Sequence, residues 1–140
     1  MYEYNYNFFP IIYIKIKDTL KKEELKSFCN EWLSCYDRKE YFKFIIEIDN
    51  VNVSPSSGFL INNFIKKIKK IDPQYLELSI VKGDLGNSFV NIMKAGFKVV
   101  KPVSPFYFLP ELDEETLEKL LTRSYTKEYL KEKKIFAVYN

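Results

Sequence analysis

Tyr2, Tyr4, Tyr6 and Phe8 alternate with polar residues, and after Pro10 the alternation resumes with Ile12, Ile14 and Ile16 on one side and Tyr13, Lys15 and Lys17 on the other. A period of two predicts half-buried strands, and so short a break predicts that the two pair antiparallel. The period then lengthens. Leu25, Phe28, Cys29, Trp32, Leu33 and Tyr36 recur at spacings of three and four, the stripe of an amphipathic helix. Asp18 or Thr19 is its expected cap, with Glu23 and Glu24 in the first turn. Phe42 to Ile48 is nearly continuous apolar sequence, as in a central strand covered on both faces.

A second helix is expected from the Ser54 to Gly58 region to about Lys70, where Asp72-Pro73 stops it. Its predicted core face is Leu60, Phe64, Ile68 and Ile71, with Ile61 and Ile65 beside it. Leu76 to Val81 reads as a strand with Leu76, Leu78 and Ile80 on one side. Ser88 to Lys94 reads as a short helix closed by Gly96, and Phe97 to Val100 as a last core strand. A helix capped by Asp113 then runs to about Leu121, with Leu112 stapled onto Leu117. The tail from Thr126 forms a short helix and ends in the apolar run Ile135 to Tyr139. That run packs on the body, pairs with a sheet edge, or binds another chain such as a second copy.

Strands separated by helices define an α/β protein with parallel crossovers and one antiparallel edge pair. The expectation is a mixed sheet of four to five strands with helices mainly on one face. Residues 1–110 would form the domain and 111–140 an extension packed on it.

Composition narrows the chemistry. The 140 residues are 46% hydrophobic and 17% aromatic, enough to build a core and too apolar for a disordered chain. A net charge of +3 makes no case for nucleic acid. The lysines of Lys66-Lys67-Ile68-Lys69-Lys70 suit the solvated face and last turn of a helix. Cys29 and Cys35 are six apart on one helix, on different faces, which argues against a disulfide or a shared metal. The chain has no histidine, which removes the commonest general base and the histidine triads. It also lacks a glycine-rich phosphate loop. The carboxylates between Glu111 and Glu118 suit the start of a helix. No run is long enough to span a bilayer and no signal-peptide pattern opens the chain. The expectation is a cytoplasmic protein that is not an enzyme and needs no metal or cofactor.

One segment carries more. After the strand ending in Ile46-Glu47-Ile48-Asp49, a polar turn leads through Ser54-Pro55-Ser56-Ser57-Gly58 into a helix. A helix start offers free N–H groups and a positive dipole end, so it tolerates a phosphate or can be switched by one. Pro55-Ser56-Ser57-Gly58-Phe59 resembles the Asp-Ser-Ser-Gly-Leu hallmark of the STAS domain, the fold of bacterial anti-sigma-factor antagonists. Lys17-Asp18-Thr19-Leu20 is similar to that family's turn after its second strand. Lys94-Ala95-Gly96-Phe97-Lys98-Val99-Val100 is similar to its late glycine-apolar segment. The likeness spans about three quarters of the chain in element order. Pro55 stands where the family has Asp, and Ser54-Pro55 also reads as an N-cap followed by proline at the first helical position.

The resemblance implies a protein-interaction module whose first serine, here Ser56 with Ser57 beside it, is phosphorylated by a partner kinase, the phosphate then breaking the complex. The implied partner surface is Ser54, Pro55, Ser56, Ser57 and Gly58. The alternative is a small lipid- or nucleotide-binding α/β domain whose Tyr and Phe residues line a pocket.

Overall fold

A computed structural model of the chain describes residues 1–49, 51, 53, 57–71, 75–84, 88–102 and 104–138. Its strands are β1 (Tyr2–Asn5), β2 (Ile11–Lys17), β3 (Phe42–Asp49), β4 (Leu76–Gly83), β5 (Phe106–Leu109) and β6 (Phe136–Val138). Its helices are α1 (Lys22–Ser34), continued by a 3-10 turn at Cys35–Arg38, then α2 (Ser57–Ile71), α3 (Ser88–Val99), α4 (Glu114–Thr122) and α5 (Lys127–Glu132).

The strands lie in one six-stranded sheet in sequence order. β2 to β5 are parallel, and β1 and β6 close the two edges antiparallel. Each crossover advances one strand in the same direction. A constant hand of crossover therefore puts α1, α2 and α3 on the same face. There they cover Ile12, Ile14, Ile16, Phe44, Ile46 and Ile48 in the main core. Phe44, Ile46 and Ile48 sit in a central strand, as their apolar run predicts. At the centre the Trp32 ring lies 4.1 Å from that of Phe44, tilted by 36°, and meets Phe64 edge-on at 5.4 Å. The aromatic excess is largely core packing of this kind.

The opposite, outer face carries a second core. Leu78, Ile80, Tyr107 and Leu109 pack against Leu120 of α4, Leu130 of α5 and Ile135. Helices thus cover both faces, three on one and two on the other. The sheet exceeds the expected four to five strands because the tail run 136–138 pairs with β5. This is the sheet-edge fate among the three considered for that run.

Other expectations are corrected by packing. Phe97 to Val100 is not a strand. Phe89, Val90, Met93 and Phe97 are all buried at helical spacing, so α3 continues to Val99 and Gly96 lies within it. At Gly96 a Cβ would stand 2.5 Å from Ile65 Cδ1 and 2.9 Å from Asn62 Oδ1; the glycine lets α2 approach rather than ending a helix. The last core strand is Phe106–Leu109, buried on both faces and bounded by Pro105 and Pro110.

Neither Asp18 nor Thr19 caps α1, which starts at Lys22 after Lys21 with no side-chain cap. Leu20 first inserts into the core at 2% exposure, so the chain uses these residues to turn, with Asp18 at φ 62°. β1 stops at Asn5, short of the alternation that reaches Phe8. In α2 the buried apolar residues are Ile61, Phe64, Ile65 and Ile68, while Leu60 and Ile71 are half-buried.

Leu76 does not share a side with Leu78 and Ile80. The β3–β4 register shifts between Phe42 and Lys43, which pair with Leu76 and Leu78, so Glu77 is an extra residue. Such a bulge turns the chain over: Leu76 enters the main core, Leu78 and Ile80 the outer one. Lys43 Nζ holds Glu77 Oε2 at 2.7 Å, and Arg123 donates to the Glu77 carbonyl at 3.2 Å. The caps of the C-terminal helices match the sequence more closely. Asp113 Oδ1 accepts the Thr116 N–H at 2.7 Å, and Thr126 accepts the Tyr129 N–H at 3.1 Å. Leu112 and Leu117 both pack on the outer core.

Candidate functional site

Val51 and Val53, 0% and 8% exposed, pin the loop after β3 into the core. The loop leads to the start of α2, where three of the five candidate residues, Ser54, Pro55 and Ser56, lie outside the described residues. Ser57 opens the helix at 4% exposure. Gly58 follows, and a Cβ there would meet nothing within 4 Å. Phe59 comes next and is 77% exposed, the most exposed of the large hydrophobic side chains reported for this chain. The step into α2 therefore buries one hydroxyl and presents one aromatic ring to solvent.

Phe59 was not singled out from the sequence, although a signal exists. At 100° per residue it lies about 160° from Ile61, opposite the buried face.

Beside Phe59, α1 and α2 form a groove of about 480 Å³. Leu33, Phe59 and Leu60 contribute apolar surface, while Lys22, Lys26 and Lys67 contribute charge. Among the described residues no acidic side chain lines it. Lys67 belongs to the basic cluster read as solvated, and Lys66, Lys67, Lys69 and Lys70 are indeed exposed. Lys22 and Lys26 are one helical turn apart, so both project from one side of α1. Their convergence with Lys67 is a product of the α1–α2 packing.

Gly58 also opens a second hollow, of about 440 Å³, toward α3 through Asn62, Ile92 and Gly96. A third hollow, of about 470 Å³, lies at the carboxyl ends of β2, β3 and β4, where Lys15, Lys17 and Lys82 mix with Glu47, Asp49 and Asp84.

Among the described residues, burial shifts the thiols and two tyrosine hydroxyls. Burial pushes the Cys29 thiol up to about 12 and the Cys35 thiol up to about 11, so both are protonated at neutral pH and poor nucleophiles. Both cysteines are free and buried. Burial also raises Tyr4, whose hydroxyl donates to the Phe28 carbonyl at 2.8 Å. Tyr6 is raised by burial and by its 2.6 Å hydrogen bond to Glu31. Among the described residues no three His, Cys, Asp or Glu side chains could hold a metal, and no helix is long and apolar enough to cross a membrane. Comparison with protein-family models, curated proteins and solved structures finds no match to this chain. The class that the fold defines is an α/β protein, with a six-stranded mixed sheet and five helices among the described residues.

Proposed function

We propose that this chain is a non-enzymatic protein-interaction module of the STAS type, whose partner docks across the groove between α1 and α2 and the start of α2. The observation that carries the reading is Phe59: a ring 77% exposed at a helix start, beside a groove of mixed polar and apolar lining edged by lysines. Exposed aromatics flanked by cations are typical anchors of protein interfaces. The lysines suit a partner segment that places apolar side chains in the groove and carboxylates around it, as an acidic amphipathic helix does.

Regulation by phosphate at Ser56 belongs to the same proposal. Ser57 is 4% exposed, out of a kinase's reach in this conformation, so the proposal takes Ser56 as the acceptor. A phosphate there adds nearly two negative charges. It suits the start of α2 and repels an acidic partner approaching Phe59. The absence of histidine and the raised thiol pKa values support the non-enzymatic half of the reading. A cytoplasmic location is part of the same proposal.

The test captures partners from the native host with the intact chain and measures the affinity of each. Phe59→Ala and the triple Lys22→Glu, Lys26→Glu, Lys67→Glu should each weaken a genuine partner by about tenfold or more, without changing the melting temperature. Ser56→Glu should weaken it and Ser56→Ala should not. Unchanged binding in the Phe59 and lysine variants removes the groove. Equal binding by the two Ser56 variants removes the switch alone.

A further inference from the structure

On the outer face, beside the layer that α4 and α5 form over β4 and β5, two hollows meet. The first, of about 470 Å³, takes in Lys15, Lys17, Glu47, Asp49 and Lys82 at the carboxyl ends of β2, β3 and β4, with Pro110 of the β5–α4 connection on its rim. The second, of about 340 Å³, is lined by Glu3, Asn5, Phe8 and Tyr13. Lys15 and Glu47 line both, so the two join into one trough. Between Tyr13 and Lys17 it follows β2 for about 13 Å, at about 3.3 Å per residue.

The trough has an aromatic end and a charged end. Phe8 is 63% exposed, and its ring meets that of the half-buried Tyr13 edge-on at 5.6 Å. Along the floor the register sets acid beside base: Glu3 by Lys15, Lys15 by Glu47, Glu47 by Lys82, and Lys17 by Asp49. An ammonium only donates hydrogen bonds and a carboxylate only accepts them. Strands about 4.8 Å apart therefore offer donors and acceptors in alternation. Among the described residues no hydrogen bond or ion pair engages these six side chains. Three lysines and four carboxylates, Asp84 included, leave the lining close to neutral.

We propose that this trough binds a neutral saccharide chain, laid along β2 and β3 with one sugar ring against Phe8. A sugar hydroxyl both donates and accepts, so it uses a lysine and a carboxylate side by side. Hydrogen bonds to charged groups are the stronger ones. The C–H face of a pyranose ring is apolar and suits an exposed aromatic ring. A lining with both signs and little net charge holds no strong attraction for a phosphate or a polycation. A small zwitterion would match the signs, but ion pairs exposed to water are worth little, and it would leave the aromatic end unused. A trough open along its length suits a chain. The site lies on the opposite face of the sheet from the α1–α2 groove and is independent of the partner proposed for that groove.

The test titrates the ¹⁵N-labelled unmodified chain with maltohexaose, cellohexaose and N-acetylated chitohexaose up to about 10 mM, enough to detect millimolar binding. At least one should shift the amides of Tyr13, Lys15, Glu47 and Asp49. Its dissociation constant should change little between low and high salt, because a neutral ligand brings no charge to screen. Glycylglycine at the same concentration should shift none of these amides. Phe8→Ala and Glu47→Ala should each weaken binding by about tenfold or more. Phe59→Ala, on the other face, should not. Nuclear Overhauser contacts between the saccharide and the Phe8 or Tyr13 ring of the unmodified chain supply a reading independent of how the variants fold. Silence toward all three saccharides, shifts confined to other parts of the chain, or an equal response to glycylglycine would each overturn the inference. So would full affinity in both folded trough variants, or a bound saccharide that touches neither ring.

Discussion

A Cβ placed on Gly83 would stand 2.8 Å from the carbonyl oxygen of Ile48, its partner on the neighbouring strand. The obstruction is backbone, so neither side can yield without disturbing the β3–β4 ladder. Gly83→Ala should cost about 1–3 kcal/mol, the range for overpacking a site that cannot relax. At Gly96 the nearest atoms are the ends of the Ile65 and Asn62 side chains, and alanine regains about 1 kcal/mol of helix propensity. Gly96→Ala should therefore lose less than Gly83→Ala. Urea midpoints of the two variants check the order.

Ser79 is 0% exposed, and its hydroxyl has no hydrogen-bond partner among the described residues. It sits in β4 between Phe44 and Phe106 in the strand register. A buried hydroxyl without a partner carries a desolvation penalty that alanine does not. Ser79→Ala should leave stability unchanged or raise it by about 1 kcal/mol. Thermal unfolding at neutral pH decides, and a clear loss of stability would reveal a partner for the hydroxyl.

The tail closes the β5 edge through three register pairs, and Lys94 Nζ sits 4.5 Å from the centre of the Phe136 ring. Deleting residues 126–140 should lower the melting temperature and leave a bare strand edge, a template for pairing between chains. Light scattering on heating should rise earlier than in the intact chain. An unchanged melting temperature and elution volume would show that the tail is dispensable.

The Asp113 carboxyl is held below its ordinary value of 3.8, first by the backbone N–H of Thr116, with Lys133 contributing at 3.9 Å. A carboxyl whose folded pKa is depressed stabilises the fold above its unfolded pKa. That contribution is lost as pH falls through the lower folded value. The intact chain should melt higher than Asp113→Ala at pH 7, and the gap should narrow as pH drops below about 4. Melting curves across that range give the answer. A gap constant with pH would assign the cap to geometry rather than charge.

The element types and most of their order were legible in the chain because they rest on local periodicity. Ile12, Ile14 and Ile16 alternate, while Leu25, Phe28, Cys29 and Trp32 recur at helical spacing, and each run buries the face its period defines. The caps at Asp113 and Thr126 are equally local, since a side chain and an N–H three residues on form them. The helix α2 itself follows the same local rule, while Ser54, Pro55 and Ser56 before it lie outside the described residues. Phe97 to Val100 could not be read this way, because so short a run, three apolar residues around Lys98, satisfies a strand or the end of a helix, and only the contact with α2 selects the helix. The bulge at Glu77, the pairing of β6 with β5, and the meeting of Lys22, Lys26 and Lys67 are likewise non-local. So is the alignment of Glu3, Lys15, Glu47 and Lys82, which the register sets side by side on four strands. A one-residue slip in register would turn a strand's charges to the other face. Local pattern decides which way a residue points along its own element; only the packing of distant elements decides what it meets there.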